Sequence, residues 1–326
     1  MPVYNQEEFV LQAIDSVLNQ TFTDFEFIVV DDGSTDRTPE LLASVKDPRF
    51  RYILAPHTGF IRSLVRGYEE ARGRWIARMD SDDISHPDRL RAQMEFLAVH
   101  PECTFLGTNY GVMSPGGRLA APREEFEWRY VEPAQITLGG RVFGDPTTVF
   151  DRTVAAEVGF FDPDFASEIP LWYRLLSRGN GAVLGQVLYY HRWRMESLSR
   201  VNIKSSSLAH IAIRQRYDPE NARRLGQRTN VDEKVTGVCR ARAGIFLYLA
   251  AGDRAAAREL AFRLWRRWPW TLSVNRLLLQ ATLGVEHFRI WQKKMPDLVR
   301  VDPKQLHSEN GSGCTPTEIL VARVKA

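Results

Sequence analysis

The sequence predicts an α/β protein in which a mostly parallel sheet is flanked by helices and followed by a C-terminal α-helical extension. Three observations predict this class. Residues 1–110 alternate apolar, strand-like runs with helical patterns. Two acidic turns in that region follow apolar runs and lead into helices. From about Ser205 onward the pattern is helical alone. Alternation of strands and helices is typical of parallel sheets with helices on their faces.

Length and composition fit a globular protein with a full core and an appendage. The chain has 326 residues, of which 44% are hydrophobic and 25% are charged. Its 43 basic and 40 acidic residues give a net charge of +3, too small to indicate nucleic-acid binding. Scattered cysteines at 103, 239 and 314 predict no disulfide framework and favour a reducing, cytoplasmic location. We recognise no signal peptide, and the longest apolar run, Ala243–Ala251, is too short to span a bilayer.

The predicted elements follow in chain order. Helices are predicted in the first half at Glu7–Asn19, Pro39–Val45, Phe60–Ala71 and Pro87–His100, and strands at 25–30 and Thr104–Asn109. A turn at 114–117 and a strand at Thr147–Phe150 follow. Later helices are predicted at Ala209–Arg216, Asp232–Ala251, Arg254–Trp268 and Leu272–Leu283, with Gly252 and Asp253 as a helix stop and cap. We expect one domain at 1–204, a helical extension at 205–292, and a disordered tail at 293–326, which is polar and lacks periodicity.

The first acidic turn, residues 31–36, reads Asp-Asp-Gly-Ser-Thr-Asp and follows the apolar strand at 25–30. A helix begins after it, near Thr38 and Pro39. This order places polar groups at the carboxyl edge of a parallel sheet, where open α/β sheets bind ligands. The alternative is an ordinary turn with a helix cap, because Asp, Gly and Ser are common turn residues.

The second acidic turn carries Asp80, Asp82 and Asp83, at the predicted end of another strand and before a helix. Mg²⁺ and Mn²⁺ prefer oxygen ligands and commonly bridge a carboxylate to substrate phosphates. An Asp-x-Asp at a strand end is therefore suited to hold a metal against a diphosphate. The alternative is a solvated acidic loop. Two acidic strand ends that each lead into a helix favour a functional site.

Three motifs, in this order, resemble the signature of family 2 glycosyltransferases: Met-Pro-Val-Tyr-Asn at 1–5, Val-Asp-Asp-Gly-Ser-Thr-Asp at 30–36 and Met-Asp-Ser-Asp-Asp at 79–83. Further matches lie at 71–78 and 87–90, and the resemblance covers about residues 1–200. It implies a domain of the GT-A fold, with a nucleotide-binding half at 1–110 and an acceptor half at 111–204. It also implies inverting transfer of a sugar from a nucleoside diphosphate sugar, most commonly a UDP-sugar, to a saccharide or lipid-linked acceptor in cell-surface glycan assembly.

The resemblance also implies roles for individual residues. Pro2, Tyr4, Asp32, Asp80 and Ser81 are implied to bind the nucleotide. Tyr4 is expected to lie near the base, Asp32 to hydrogen-bond its edge, and Asp80 to lie near the ribose or the phosphates. Asp82 is implied as the principal ligand of a Mn²⁺ or Mg²⁺ ion. These residue types suit the roles, since an aromatic ring offers a stacking face and a metal neutralises charge on a departing diphosphate.

Inverting transfer also needs a general base that takes the proton of the acceptor hydroxyl. The family carries a Glu-Asp pair before a Leu-Trp-x-Arg helix, and this chain keeps only Glu168 before Leu171-Trp172-Tyr173-Arg174. Glu168 is our candidate base. Asp162 and Asp164 are held in reserve, with a solvated turn around Pro163 as their alternative reading.

Three arginines are candidate phosphate contacts, Arg62 in the third predicted helix and Arg192 and Arg194 downstream, and Arg66 is the alternative to Arg62. Arg194 stands where the family usually has a histidine. An arginine binds phosphate well because its planar fork can donate two hydrogen bonds at once.

Two further features leave alternatives open. Met1 falls inside the first motif, so most of the first strand is expected to be missing. In the helical extension, arginines alternate with Phe262, Leu264, Trp265, Trp268 and Trp270. This mixture is typical either of peripheral contact with the inner face of a membrane or of an amphipathic hairpin packed on its neighbour.

Other classes of protein fit less well. A response-regulator receiver would leave the second acidic turn without a role, and a dinucleotide-dependent dehydrogenase would need a Gly-x-Gly-x-x-Gly turn that this sequence lacks. The remaining alternative is a relative that binds nucleotide sugars, or acts as a scaffold, without catalysis.

Overall fold

The computed structural model describes residues 1–119, 125–137, 143–194, 197, 203–224, 241, 244–249, 251–267 and 272–283. By its internal contacts the chain divides into two compact units. The first comprises Met1–Gly111, Pro122–Arg192 and Ile213–Pro219; the second comprises Val112–Ala121, Trp193–Ala212 and Glu220–Ala326. The predicted tail at 293–326 lies outside the described residues, as does most of the predicted helix Asp232–Ala251.

Strands and helices alternate from the start of the chain. The strands are β1 Pro2–Val3, β2 Phe27–Asp31, β3 Phe50–Leu54, β4 Trp75–Ala77, β5 Ile84–Ser85, β6 Cys103–Met113, β7 Trp128–Tyr130, β8 Val149–Asp151 and β9 Asn180–Arg192. The helices up to β9 are α1 Val10–Leu18, α2 Thr38–Ser44, α3 Phe60–Glu70, α4 Arg89–Val99, α5 Ala134–Thr137, α6 Arg152–Val158 and α7 Ile169–Leu176. After β9 come α8 Ile203–Tyr217, α9 Pro219–Arg224, α10 Arg254–Arg267 and α11 Leu272–Leu283.

The first three strands form a parallel sheet in the order β1-β2-β3. The two residues of β1 pair with the end of β2, Pro2 opposite Val30 and Val3 opposite Asp31. All five residues of β2 are buried. Burial along the whole strand is expected when helices cover both faces of a parallel sheet. The pairing places the residues after β1 beside the first acidic turn.

A second, six-stranded sheet has the order β4-β8-β6-β9-β5, with β7 paired to β9. Every pair whose register is described there is antiparallel; Ile76, for example, faces Phe150. The α/β class is thus confirmed, while parallel pairing belongs to the first sheet. Alternation of apolar residues predicts a strand but does not fix its direction.

The second sheet and α7 share a core. Phe105, Phe150 and Trp172 are fully buried, and the Trp172 ring lies 5.6 Å from Phe105 and 5.8 Å from Phe150, centroid to centroid. Burial of large aromatic side chains stabilises such a core most per residue. It fixes α7, and therefore the residue that precedes it, Glu168.

The predicted strand at Thr147–Phe150 is partly wrong, because a 3₁₀ turn, Asp145–Thr147, precedes β8. The Thr147 hydroxyl donates to the Gly144 carbonyl at 2.8 Å, and the Thr148 hydroxyl donates to the Asp145 carbonyl at 2.7 Å. These local bonds give the backbone an alternative to the sheet ladder.

The second unit has its own apolar core. Residues of α10 and α11 line it, among them Leu260, Leu264 and Leu277. Gly252, at φ +71°, and Asp253, which accepts from the Ala256 amide at 3.1 Å, confirm the predicted stop and cap before α10. Within the described ranges, no helix is long and apolar enough to cross a membrane. Trp268 and Trp270 of the predicted basic and aromatic surface lie outside those ranges.

Candidate active site

The first acidic turn is closed by its own side chains. The Asp31 carboxylate accepts from the Ser34 amide at 2.9 Å, from the Ser34 hydroxyl at 2.6 Å and from the Tyr52 hydroxyl at 3.2 Å. Burial and the neighbouring Asp31 raise the pKa of Tyr52 to about 12. Asp31 therefore holds the turn against β3.

Asp32 is buried and accepts hydrogen bonds from the segment that opens α3. Its carboxylate accepts from the Thr58 amide at 2.8 Å, the Gly59 amide at 2.9 Å and the Ser63 hydroxyl at 2.9 Å. His57 Nδ1 lies 2.9 Å from the same carboxylate. Burial acts to raise the pKa of Asp32, but these hydrogen bonds outweigh it and lower the pKa below its ordinary value. The carboxylate expected to meet a base edge thus also anchors the start of α3.

Tyr4 lies in the loop after β1 and is 42% exposed. The imidazole of His57 stacks on it, with ring centroids 4.4 Å apart and planes 30° apart. The next residue, Asn5, accepts from the Thr35 amide at 2.8 Å, and its own amide donates to the Ser34 hydroxyl at 2.9 Å. The aromatic face predicted for a nucleobase is therefore tied to the first acidic turn and is covered on one side by His57.

The second acidic turn divides into an inward and an outward part. Asp83 is buried and accepts from the Tyr189 hydroxyl at 2.9 Å and the Arg192 amide at 2.7 Å, and its carboxylate lies 3.2 Å from His191 Nδ1. Burial acts to raise its pKa, but His191 and the hydrogen bonds lower it. Asp83 therefore secures the turn to β9.

Asp80 and Asp82 are the outward part, since both are half-buried. Asp80 Oδ1 accepts from Arg78 Nη1 at 2.7 Å, and the Asp80 amide donates to the Tyr189 hydroxyl at 3.2 Å. Ser81 between them is buried. Across the described residues, no group of three His, Cys, Asp or Glu could hold a metal by itself. The donor set fits a hard cation that completes its coordination with phosphate oxygens and water, which needs only one or two carboxylates.

Glu168 precedes α7 and is buried against Arg78 and Tyr68. Arg78 donates from Nε to both carboxylate oxygens, at 3.0 and 3.1 Å, and from Nη2 at 3.0 Å, while the Tyr68 hydroxyl donates at 2.6 Å. Burial raises the pKa of Glu168 above its ordinary range; Arg78 opposes this rise, and Asp145 adds to it. A raised pKa favours proton uptake near neutral pH.

The reserve carboxylates have structural partners. Asp162 is buried and accepts from the Tyr217 hydroxyl and from the Asp164 amide at 3.0 Å. Asp164 pairs with Arg216 of α8. Both therefore join the loop before α7 to the end of α8, and the solvated-turn reading of Asp162 is wrong.

The candidate phosphate contacts lie in different places. Arg62 is exposed on α3, where it and Arg66 line a cavity of about 560 Å³. Arg192 is buried: its Nε donates to the Asp82 carbonyl at 2.7 Å and its Nη2 to Gln12 at 3.0 Å. Arg194 belongs to the second unit. Arg192 thus supports the second acidic turn from inside.

Sequence reasoning missed roles for Arg78, His57 and Asp145. Arg78 lies in the matched segment 71–78, but the resemblance implies no role for it. Asp145 accepts from the Trp172 indole at 2.7 Å, so it lies beside α7, the helix that follows Glu168. A lone Asp before Pro146 signals only a turn. All three acquire partners from distant segments, which no local pattern reveals.

Parts of this chain are similar to known glycosyltransferases. Residues 1–159 match the family model described as Glycosyl transferase family 2. TuaG of Bacillus subtilis, a glycosyltransferase named for a proposed part in teichuronic acid biosynthesis, is 28% identical over 222 residues, which are 66% of this chain and 85% of TuaG. The succinoglycan biosynthesis protein ExoO of Rhizobium meliloti is 46% identical over 93 residues, 28% of this chain and 27% of ExoO.

Among solved structures, residues 1–349 of S. aureus TarS match with a TM-score of 0.53 at 17% identity, over 87% of this chain and 90% of that one. The same TarS fragment in complex with UDP-GlcNAc matches with a TM-score of 0.52 at 16% identity, with the same coverage. At this identity the likeness concerns the fold, and it confirms the predicted GT-A type.

Proposed function

This chain belongs to glycosyl transferase family 2 through residues 1–159, and from that premise we propose that it transfers a sugar, with inversion, from a nucleoside diphosphate sugar to a saccharide or lipid-linked acceptor. We propose a UDP-sugar as donor, since TarS was crystallised with UDP-GlcNAc and with UDP. The names of TuaG and ExoO support a place in cell-surface polysaccharide assembly.

The observation that carries the proposal is the outward pair Asp80 and Asp82 beside the parallel sheet. Met79 packs in one buried cluster with Val3 and Val29, so the second acidic turn lies against the strands that carry the first. Tyr4 and Asp32 offer an aromatic face and a carboxylate at the end of those strands. An aromatic ring, a carboxylate and an outward acidic pair at one sheet edge match the parts of a nucleoside diphosphate.

In the proposed reaction each of these residues has a role. The acceptor hydroxyl oxygen attacks the anomeric carbon, the nucleoside diphosphate leaves with the bonding electron pair, and Glu168 takes the hydroxyl proton. A bound Mn²⁺ or Mg²⁺, held by Asp82, would neutralise charge on the diphosphate. Asp80 orients the ribose or the phosphates. Arg62 remains a candidate for phosphate contact.

The surroundings of Glu168 set a condition on its role as base. A carboxylate has about four lone-pair sites, and donors from Arg78 and Tyr68 already address both of its oxygens. To accept a proton, Glu168 must release one of these donors. The charge of the half-buried Asp145 is one of the causes that raise the pKa of Glu168. Asp145→Asn is therefore the matched control for Glu168→Gln.

The alternative function is a sugar-nucleotide-binding protein or scaffold without turnover. The close pairing of Glu168 with Arg78 favours it, because a paired and buried carboxylate also serves as a structural counter-ion. The two functions differ in whether a sugar is transferred to an acceptor. Nucleotide binding is expected in both, and transfer only in the first.

Calorimetric titration with UDP, GDP and dTDP, each with and without Mn²⁺, tests the donor site. We expect UDP to bind only with Mn²⁺, and Asp82→Ala to weaken that binding at least about a hundredfold, or about 2.8 kcal/mol. Asp24→Ala, an exposed carboxylate, is the control and should bind as the wild type does. A folded wild-type protein that binds none of the three nucleotides would refute the proposal.

Turnover separates transfer from binding alone. Nucleotide release from a UDP-sugar, measured with saccharide acceptors at saturating donor, is expected to fall in Glu168→Gln by far more than its UDP affinity falls. A steep loss of nucleotide release in Asp145→Asn, together with full activity in Glu168→Gln, would instead assign the role of proton acceptor to Asp145. No release by a wild type that binds UDP would favour the non-catalytic alternative.

A further inference from the structure

We propose that Arg78 is a positioning residue that couples Glu168 to Asp80, so that a change at the acceptor-side carboxylate alters nucleotide binding at the donor side. The inference rests on the proposed function, which assigns Asp80 to the donor and Glu168 to the acceptor. It adds a residue that touches neither substrate and acts through both carboxylates.

The contacts of Arg78 divide its guanidinium between the two sites. Nε and Nη2 hold Glu168 in a fork, at 3.0 to 3.1 Å. Nη1 donates to Asp80 Oδ1 at 2.7 Å and to the Met79 carbonyl at 2.7 Å. Because the guanidinium is planar and rigid, its two ends cannot reorient independently. A shift of Glu168 is therefore passed to Asp80.

Burial makes this coupling strong. The Arg78 side chain is 2% exposed, and that of Glu168 is 7% exposed. A buried charge without its partner is costly, so each variant must rearrange the remaining groups rather than leave them in place. The Phe60 ring, 5.2 Å from the guanidinium, packs against it and restricts where it can move.

A purely structural role for Arg78 is the competing explanation, and a second arginine distinguishes the two. Arg89 is also buried, and it donates to the Arg78 carbonyl at 2.6 Å and to Gln93 at 3.2 Å. Among the described residues, it forms no ion pair with a carboxylate. Arg89→Lys therefore removes comparable buried hydrogen bonds without touching Glu168 or Asp80.

A double-mutant cycle on UDP affinity, measured by calorimetry with Mn²⁺, tests the coupling. We expect Glu168→Gln and Arg78→Lys each to weaken UDP binding by about tenfold, and the double variant to bind no more weakly than Arg78→Lys alone. Arg89→Lys is expected to lower thermal stability similarly while UDP affinity stays within about twofold of the wild type.

Several results would contradict the coupling between Glu168 and Asp80. Additive losses in the double variant, or unchanged affinity in Arg78→Lys, would overturn the coupling while the donor site stands. Loss of UDP affinity in Arg89→Lys equal to that in Arg78→Lys would assign Arg78 a structural role only. If Arg78→Lys does not fold, Asp80→Asn replaces it in the cycle, with the same non-additivity expected. A folded wild type that binds no nucleotide would remove the proposed function and this inference with it.

Discussion

In the turn at 31–36 the aspartates accept mainly from backbone amides and hydroxyls, whereas in the turn at 80–83 the neighbouring donors include buried arginines. Asp32 is bonded by the amides of Thr58 and Gly59 and by a serine hydroxyl. Asp80 is bonded by Arg78, and the Asp82 carbonyl by Arg192. Similar sequences at similar strand ends thus receive different electrostatic surroundings.

The difference teaches how to separate structural from functional carboxylates. Backbone amides that point at a buried carboxylate hold a loop in place, and their loss costs stability. A half-buried carboxylate keeps part of its surface exposed to a ligand. By this criterion Asp32 stabilises the fold first, and Asp80 and Asp82 are the carboxylates that we propose serve a ligand.

The largest expected effect is on folding. Asp32→Ala is expected to lower the free energy of unfolding by about 3 kcal/mol, because the amides of Thr58 and Gly59 and the buried Ser63 hydroxyl lose their acceptor. Urea denaturation measures it. The exposed Asp24→Ala should change the free energy by less than about 0.5 kcal/mol. If Asp32→Ala proves as stable as Asp24→Ala, the first turn is not the structural one.

The same carboxylate should shape acid unfolding. The pKa of Asp32 is lowered in the folded state, as is that of Asp83, so each contributes stability above its unfolded pKa of about 3.9 and loses it as pH falls through the folded pKa. Glu168, with a raised pKa, acts in the opposite sense, and its contribution is lost as pH rises. We expect stability to fall as the pH drops below about 4 in the wild type, and less steeply in Asp32→Asn. Parallel curves would contradict this assignment.

Local pattern was enough to predict several elements and the positions of both turns. The predicted bounds of α11, Leu272–Leu283, are those observed, and α3 differs by one residue at its end. Helical periodicity and a following break are local signals. β6, predicted at Thr104–Asn109, extends to Cys103–Met113, since nothing in a continuous strand marks where pairing stops.

The partners of the site could not be predicted in this way. Arg78 and Glu168 are separated by 90 positions, and Asp32 and Ser63 by 31. Such contacts depend on which segments the topology brings together, and a single sequence contains no direct record of that. The positions of the two acidic turns were therefore predictable, while the hydrogen-bond partners of their carboxylates were not.

A smaller effect is expected at the aromatic face of the first turn. Tyr4→Ala should weaken Mn²⁺-dependent UDP binding by about tenfold, because stacking of a base on an aromatic ring contributes about 1–3 kcal/mol. Tyr4→Phe keeps the ring and should bind within about twofold of the wild type. Since Tyr4 is 42% exposed, neither variant should change unfolding by more than about 0.5 kcal/mol. Equal losses in both variants would mean that the hydroxyl, and not the ring, contacts the nucleotide.

The smallest expected effect concerns His57, which covers Tyr4 and lies 2.9 Å from Asp32 Oδ2. A base that stacks on this face of Tyr4 and bonds to Asp32 must displace the imidazole from both. His57→Ala is therefore expected to tighten UDP binding by about fivefold, or about 1 kcal/mol, the size of one aromatic pair. His100→Ala, which removes an imidazole stacked 4.1 Å from Phe96, is the matched control and should leave UDP affinity unchanged. Weaker binding in His57→Ala would mean that the imidazole is itself a wall of the base site. The amide donors to Asp32 remain in either case, so the first turn would keep its structural role while its ligand contact is reassigned.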